Sequence, residues 1–159
     1  VTVETDIADP DQAQRMVDTA VEQLGKVDIL VNNAGIGTAV PPATKETPDQ
    51  FRRVVDINLN GSYWAAQAAG RVMQPGSSIV NISSILGITT AGLPQAAYAA
   101  SKAGVIGLTR DLAQQWGRPQ GHPCQLDRPP GFLRNRNDRR VPGRLHRGDE
   151  VADRPRPDR

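Results

Sequence analysis

Cysteine is nearly absent from this sequence: Cys124 is the single thiol in 159 residues. A lone thiol excludes an intrachain disulfide, and Cys124 sits among prolines and arginines without the marks of a nucleophile. Histidine is as scarce, and His122 and His146 together with Cys124 make no recognisable metal-ligand set. No stretch has the make-up of a signal peptide and no apolar run is long enough to span a bilayer, so no membrane partner is expected and the expected location is cytoplasmic. Internal repeats are not evident. The length suits one domain, and 38% apolar content is enough for a packed core.

Charge is unevenly divided. Residues 1–117 hold eight basic against eleven acidic side chains, whereas residues 118–159 hold eleven Arg against six acids, with seven prolines and only six Leu, Ile, Val or Phe. The second segment buries too little apolar surface to offset the entropy of ordering, so we expect a core over 1–117 and a disordered Arg/Pro-rich tail over 118–159. Clustered arginine attracts phosphates, but the tail has no interleaved aromatics and no recognisable binding module. Nucleic acid is therefore an unlikely partner beyond nonspecific contact.

What the core does contain is Tyr98-Ala-Ala-Ser-Lys102, a phenol and an ammonium one helical turn apart on the same face. At about 4 Å and an effective dielectric of about 20, a unit charge stabilises a phenolate by ~4 kcal/mol, enough to bring such a group toward proton exchange near neutral pH. Taken alone, the pair is more often an ordinary amphipathic spacing. Upstream, Ser77-Ser-Ile-Val-Asn-Ile-Ser-Ser84 reads as a strand delivering Ser84 to a loop, although serines at strand ends commonly just form turns. Val27-Asp-Ile-Leu-Val-Asn-Asn-Ala-Gly35 reads as a buried strand ending in a small polar turn; ligands of open parallel sheets bind at such strand ends, and a plain left-handed turn is the simpler reading.

In this order, these segments resemble the short-chain dehydrogenase/reductase family: Asp6-Ile7, Asn32-Asn33-Ala34-Gly35, Asn58 in Asn-Leu-Asn-Gly61, Ser84 in Ser-Ile-Leu-Gly87, and Tyr98 with Lys102. The resemblance runs from about Val1 to Gly117. It implies an α/β fold, a partial Rossmann-like doubly wound parallel sheet, and an NAD(P)-dependent oxidoreductase acting on a small alcohol or ketone. By resemblance, Tyr98 is the general acid or base, Lys102 tunes it and holds the nicotinamide ribose, Ser84 binds the substrate oxygen, and Asn58 holds a water that relays protons. Asp6 and Ile7 would meet the adenine, with Asn33, Ala34 and Gly35 also on the cofactor. Asp6 could equally cap the helix opening near Asp9-Pro10. The resemblance also implies a homo-oligomer.

The family's Thr-Gly-x-x-x-Gly-x-Gly loop, whose amides face the cofactor pyrophosphate, is not in this sequence. The first βαβ unit is thus expected to be missing, leaving a first strand near Val1 to Thr5 without a neighbour and an exposed apolar edge on the next. The acidic residue that separates NAD from NADP is missing with it, so the cofactor is NAD or NADP. After Gly117 the family continues with a strand of the type Ile-Arg-Val-Asn. A one-nucleotide shift in codons compatible with His122 to Pro129 can spell such a strand, so we expect a frameshift near Arg118. The chain could then be inactive. Two other readings are a non-catalytic protein assembling with an intact paralogue and nonspecific nucleic-acid binding through the arginines.

The spacing predicts helices from about Asp11 to Leu24, Pro48 to Met73 with Thr47 as N-cap, and Ala96 to Trp116. Strands are expected at Asp28 to Asn32 and Ser78 to Ser83.

Overall fold

The computed structural model describes residues 1–37, 42–117 and 124–127. Helix α1 (Pro10–Leu24) leads to strand β1 (Ile29–Asn32), followed by α2 (Pro48–Val55), a π-helical turn (Asp56–Asn60), α3 (Gly61–Gly70), β2 (Ser78–Ile82), a 3₁₀ turn (Ile85–Gly87), α4 (Ala96–Gly117) and β3 (Cys124–Asp127). The fold is α/β and Rossmann-like, with a parallel sheet in the order β1-β2-β3.

Local chemistry sets the helix ends. Asp9, not Asp6, caps α1, its Oδ1 accepting from the amides of Asp11 at 2.9 Å and Gln12 at 3.3 Å, and Pro10 fills the first turn. The Gln12 side-chain amide also donates to this carboxylate and holds the Asp9 carboxyl below the usual carboxylate range. Gly25 closes the helix in the left-handed region at φ 85°. Thr47 caps α2 in a reciprocal box with Gln50, as the Thr47-Pro48 pair predicts.

In the sheet, Ile29 pairs with Ser78 and Asn32 with Asn81, while on the other side of β2 Ile79 pairs with Cys124 and Ile82 with Asp127. Alternation puts Leu30, Asn32, Ile79 and Asn81 on one face, where α3, α1 and α4 cover them. The buried cluster contains Val17, Ala66, Ala69, Met73, Ile79 and Leu112, with Leu30 and Trp116 packed around it. Gly70 lets the Trp116 ring approach closely, since a Cβ there would lie 3.1 Å from it. Inside this layer runs a ladder of buried amides and hydroxyls. Asn32 Nδ2 donates to Ser62 O at 3.0 Å and Asn81 Oδ1 at 2.8 Å, Asn81 Nδ2 to Thr109 Oγ1 at 2.9 Å, and Thr109 Oγ1 to Val105 O at 2.7 Å. Such a satisfied network ties both strand ends to α3 and α4.

Three expectations are corrected. Val1–Thr5 forms no strand, because no strand among the described residues offers it a ladder to join. The helix predicted from Pro48 to Met73 is not continuous: it widens into the π turn at Asp56–Asn60 and ends at Gly70. Within the segment expected to be disordered, Cys124–Asp127 is a strand, because the open edge of β2 supplies pairing that composition does not register. It falls in the stretch where the resemblance places a strand. The remaining expectation for 118–159 lies outside the described residues.

Candidate active site

The π turn is the device that brings Asn58 inward. An extra residue in the turn rotates its carboxamide into the interior, where Asn58 is fully buried. Its Oδ1 accepts from the Ile36 amide at 2.8 Å, and its Nδ2 donates to Ile36 O at 2.9 Å and Ser101 Oγ at 3.1 Å. The Asn58 carbonyl accepts from Ser62 Oγ at 2.9 Å. Asn58 thereby clamps the loop after β1 onto α4. Ser101 extends the clamp, donating to Tyr98 O at 2.8 Å.

Lys102 projects from the same turn of α4 and is 5% exposed. Its Nζ donates to Ile82 O at 2.8 Å, which engages one of the ammonium's three donors at the end of β2. The same Nζ stands 5.8 Å from the Tyr98 ring centroid, so phenol and cation share one side of the helix as their spacing predicts. Burial pushes the Lys102 ammonium below the ordinary lysine range, because a desolvated charge is disfavoured.

Glycines make these approaches possible. A Cβ on Gly35 would lie 3.1 Å from Asn58 Oδ1 and 3.6 Å from Lys102 Nζ. Gly35 is not one of the left-handed glycines, which among the described residues are Gly25, Gly76 and Gly92, so clearance and not turn handedness is what it contributes. A Cβ on Gly87 would stand 2.9 Å from the Lys102 carbonyl, which Ser83 Oγ also binds at 2.8 Å.

Ser84 is half-buried at the end of β2, where its Oγ accepts from the Leu86 amide at 3.2 Å and caps the 3₁₀ turn. Asn33, Ala34 and Gly35 follow β1 on the surface. Asp6 Oδ1 accepts from the Ala8 amide at 3.1 Å and its own amide donates to Gln12 Oε1 at 2.9 Å. Asp6 lines a cavity of about 340 Å³ with Arg52, Arg53, Asp56 and Ile57. Ile7 rests on the start of α3, where a Cβ on Gly61 would come within 2.8 Å of its Cγ2.

The arrangement joins Asn58, Ser101, Tyr98 and Lys102 to the ends of β1 and β2, places Ile7 in a small cavity with Asn33 and Ala34, and leaves Asp6 beside a separate opening. Sequence reasoning missed Ser101, which stands three residues from Tyr98, a helical neighbour position that could have signalled it.

The family model for short chain dehydrogenases matches residues 1–120. The chain belongs to the short-chain dehydrogenase/reductase family. Among its relatives, the galactitol 2-dehydrogenase of Rhizobium johnstonii is 42% identical over 72% of this chain and 47% of its own length. A solved dehydrogenase/reductase from Sinorhizobium meliloti 1021 superposes with a TM-score of 0.76 and 32% identity, over 79% of this chain and 49% of that one. A short-chain dehydrogenase from Burkholderia cenocepacia J2315, solved in complex with NADP, superposes with a TM-score of 0.74 and 36% identity, over 78% and 50%. The chain spans half or less of the length of these short-chain dehydrogenases. No helix among the described residues is long and apolar enough to cross a membrane, and none of their His, Cys, Asp and Glu side chains cluster into a metal set.

Proposed function

We propose that this chain carries the acid-base half of an NAD(P)-dependent oxidoreductase site that interconverts a small alcohol and ketone. The observation that carries it is the desolvated Lys102 cation facing the Tyr98 ring while the Asn58 amide locks the neighbouring loop. The oxidoreductase chemistry of the family and the NADP complex of a structural neighbour support it.

Tyr98 gives its proton to a carbonyl oxygen in reduction and takes one from an alcohol in oxidation. Lys102 sets its charge on the Tyr98 side of α4, with two donors left for ribose hydroxyls. Ser84 donates its hydroxyl proton to the substrate oxygen while its Oγ accepts from the Leu86 amide. Asn58 keeps α4 and the Ile36 loop in register and would hold the relay water. A nicotinamide held by Lys102 and residues 33–35 would supply or accept the hydride. NAD or NADP fits this chain in part: Asp6 borders one opening, Ile7 lines another with Asn33 and Ala34, and the glycine at position 35 clears space beside Lys102 for the ribose. A glycine-rich cradle for the pyrophosphate is not among these residues. The substrate class follows the relatives, the galactitol 2-dehydrogenase among them, and a homo-oligomer is the assembly the family reading favours.

Calorimetric titration with NADH and NADPH, repeated on Lys102→Met and Asp6→Asn, tests this. Weak binding that falls further in both variants is expected. Binding that neither variant alters would place the cofactor elsewhere and overturn the proposal.

A further inference from the structure

Beside the Ser84 and Tyr98 segments lies a second cavity of about 280 Å³, bounded by the loop before α2, the 3₁₀ turn and the start of α4. Leu86 stands two residues beyond Ser84, and Ala99 follows Tyr98 directly, so the cavity adjoins the segments that carry the groups assigned to the substrate oxygen. Leu86, Leu93, Pro94, Ala96 and Ala99 give it apolar walls. Ile85, Ile88 and Leu93, on the same loop, are 50%, 57% and 65% exposed, which makes its surroundings apolar as well.

Against this background Glu46 is anomalous. It lines the cavity, and its Oε1 is buried with no hydrogen-bond partner, the one such side-chain atom among the described residues. A buried carboxylate oxygen without a donor is costly, and a ligand that brings a donor relieves that cost. The terminal torsion of Glu is broad, so a small rotation presents either oxygen to the cavity.

We propose that Glu46 sets substrate specificity, accepting a hydrogen bond from a second donor, a hydroxyl or an ammonium, on a small apolar alcohol or ketone. The identification of the cavity as the substrate pocket rests on the oxidoreductase reading; the contact itself does not require the cofactor. An apolar body fills the walls, the reacting carbon faces Ser84 and Tyr98, and the second donor reaches Glu46. A site built to bond such a group discriminates strongly against the analogue that lacks it, because its polar atom is then left unpaired.

The test is ligand-detected NMR titration of the intact chain, without cofactor, with cyclohexanol, trans-1,4-cyclohexanediol and trans-4-aminocyclohexanol. The wild type should bind one of the donor-bearing probes about tenfold more tightly than cyclohexanol. Glu46→Leu should erase that preference, and Glu46→Gln should reduce it. The tighter of the two probes tells hydroxyl from ammonium. Neither variant loses a hydrogen bond of Oε1, so both should melt at or above the wild-type temperature. Equal binding of all three probes, no binding of any, or a preference that survives Glu46→Leu overturns the proposal. Glu46-dependent preference alongside NADH and NADPH titrations unaffected by Lys102→Met and Asp6→Asn would remove the oxidoreductase reading and keep the contact.

Discussion

The two faces of the sheet are opposites. On one, Ile79 is 2% exposed and Asn81 fully buried beneath α3 and α4; on the other, Ile29 and Val31 of β1 are 67% and 55% exposed although Asn32 on the same strand is buried. A parallel sheet is ordinarily covered on both faces, and its strands read as continuous apolar runs for that reason. Ile-Leu-Val in β1 is such a run, with only one of its faces covered here. The covered face is built from helices that are close to β1 and β2 in sequence, and those same helices carry Asn58, Tyr98 and Lys102. The acid-base groups and the finished half of the core therefore come as one unit.

Ile79→Ala probes that asymmetry most strongly. It should cost about 3 kcal/mol in urea unfolding, since it opens a void where α3 and α4 meet the sheet. A loss as small as that of an exposed site would break the comparison. Lys102 gives a smaller, pH-dependent effect. Burial lowers its ionisation in the folded state, so between that lowered value and the ordinary one near 10.5 the unfolded chain binds more protons. Stability should accordingly rise with pH across that window. The difference in urea midpoint between wild type and Lys102→Met, followed from pH 7 to 11, should change in that sense; a flat difference would show that the ammonium is solvated. Val31→Thr, on the open face, should alter stability by less than about 0.5 kcal/mol and reduce self-association in light scattering. A large destabilisation there would mean that the face is covered.

Much of this was legible in the residues. Thr47-Pro48 announces the start of α2, because the hydroxyl and the imino ring suit those two positions alone, and Tyr98 and Lys102 meet because helical spacing obliges them to. Val1–Thr5 misled, because a β-branched run encodes a tendency to pair and not the neighbour that pairing needs. Cys124–Asp127 misled in the reverse direction: a neighbour was available where composition argued for none. The π turn left no periodic signature, since one extra residue in one turn barely shifts an apolar stripe. Glu46 escaped notice because its oddity lies in its surroundings, which no spacing rule records.

The widened turn at Asp56–Asn60 has a consequence for the way this helix tolerates change. Successive residues of a regular helix are about 100° apart around the axis. Losing a single codon within those five would restore an unbroken spiral with the flanking turns near their present phase, because the wide turn absorbs one extra residue, but it would re-aim side chains inside the turn by up to about that angle. Asn58 would then leave Ile36 while the small face of α3 stays on the sheet. Here regularity and workable geometry are alternatives, and lengthening or shortening the segment by one is a harsher change than most replacements within it.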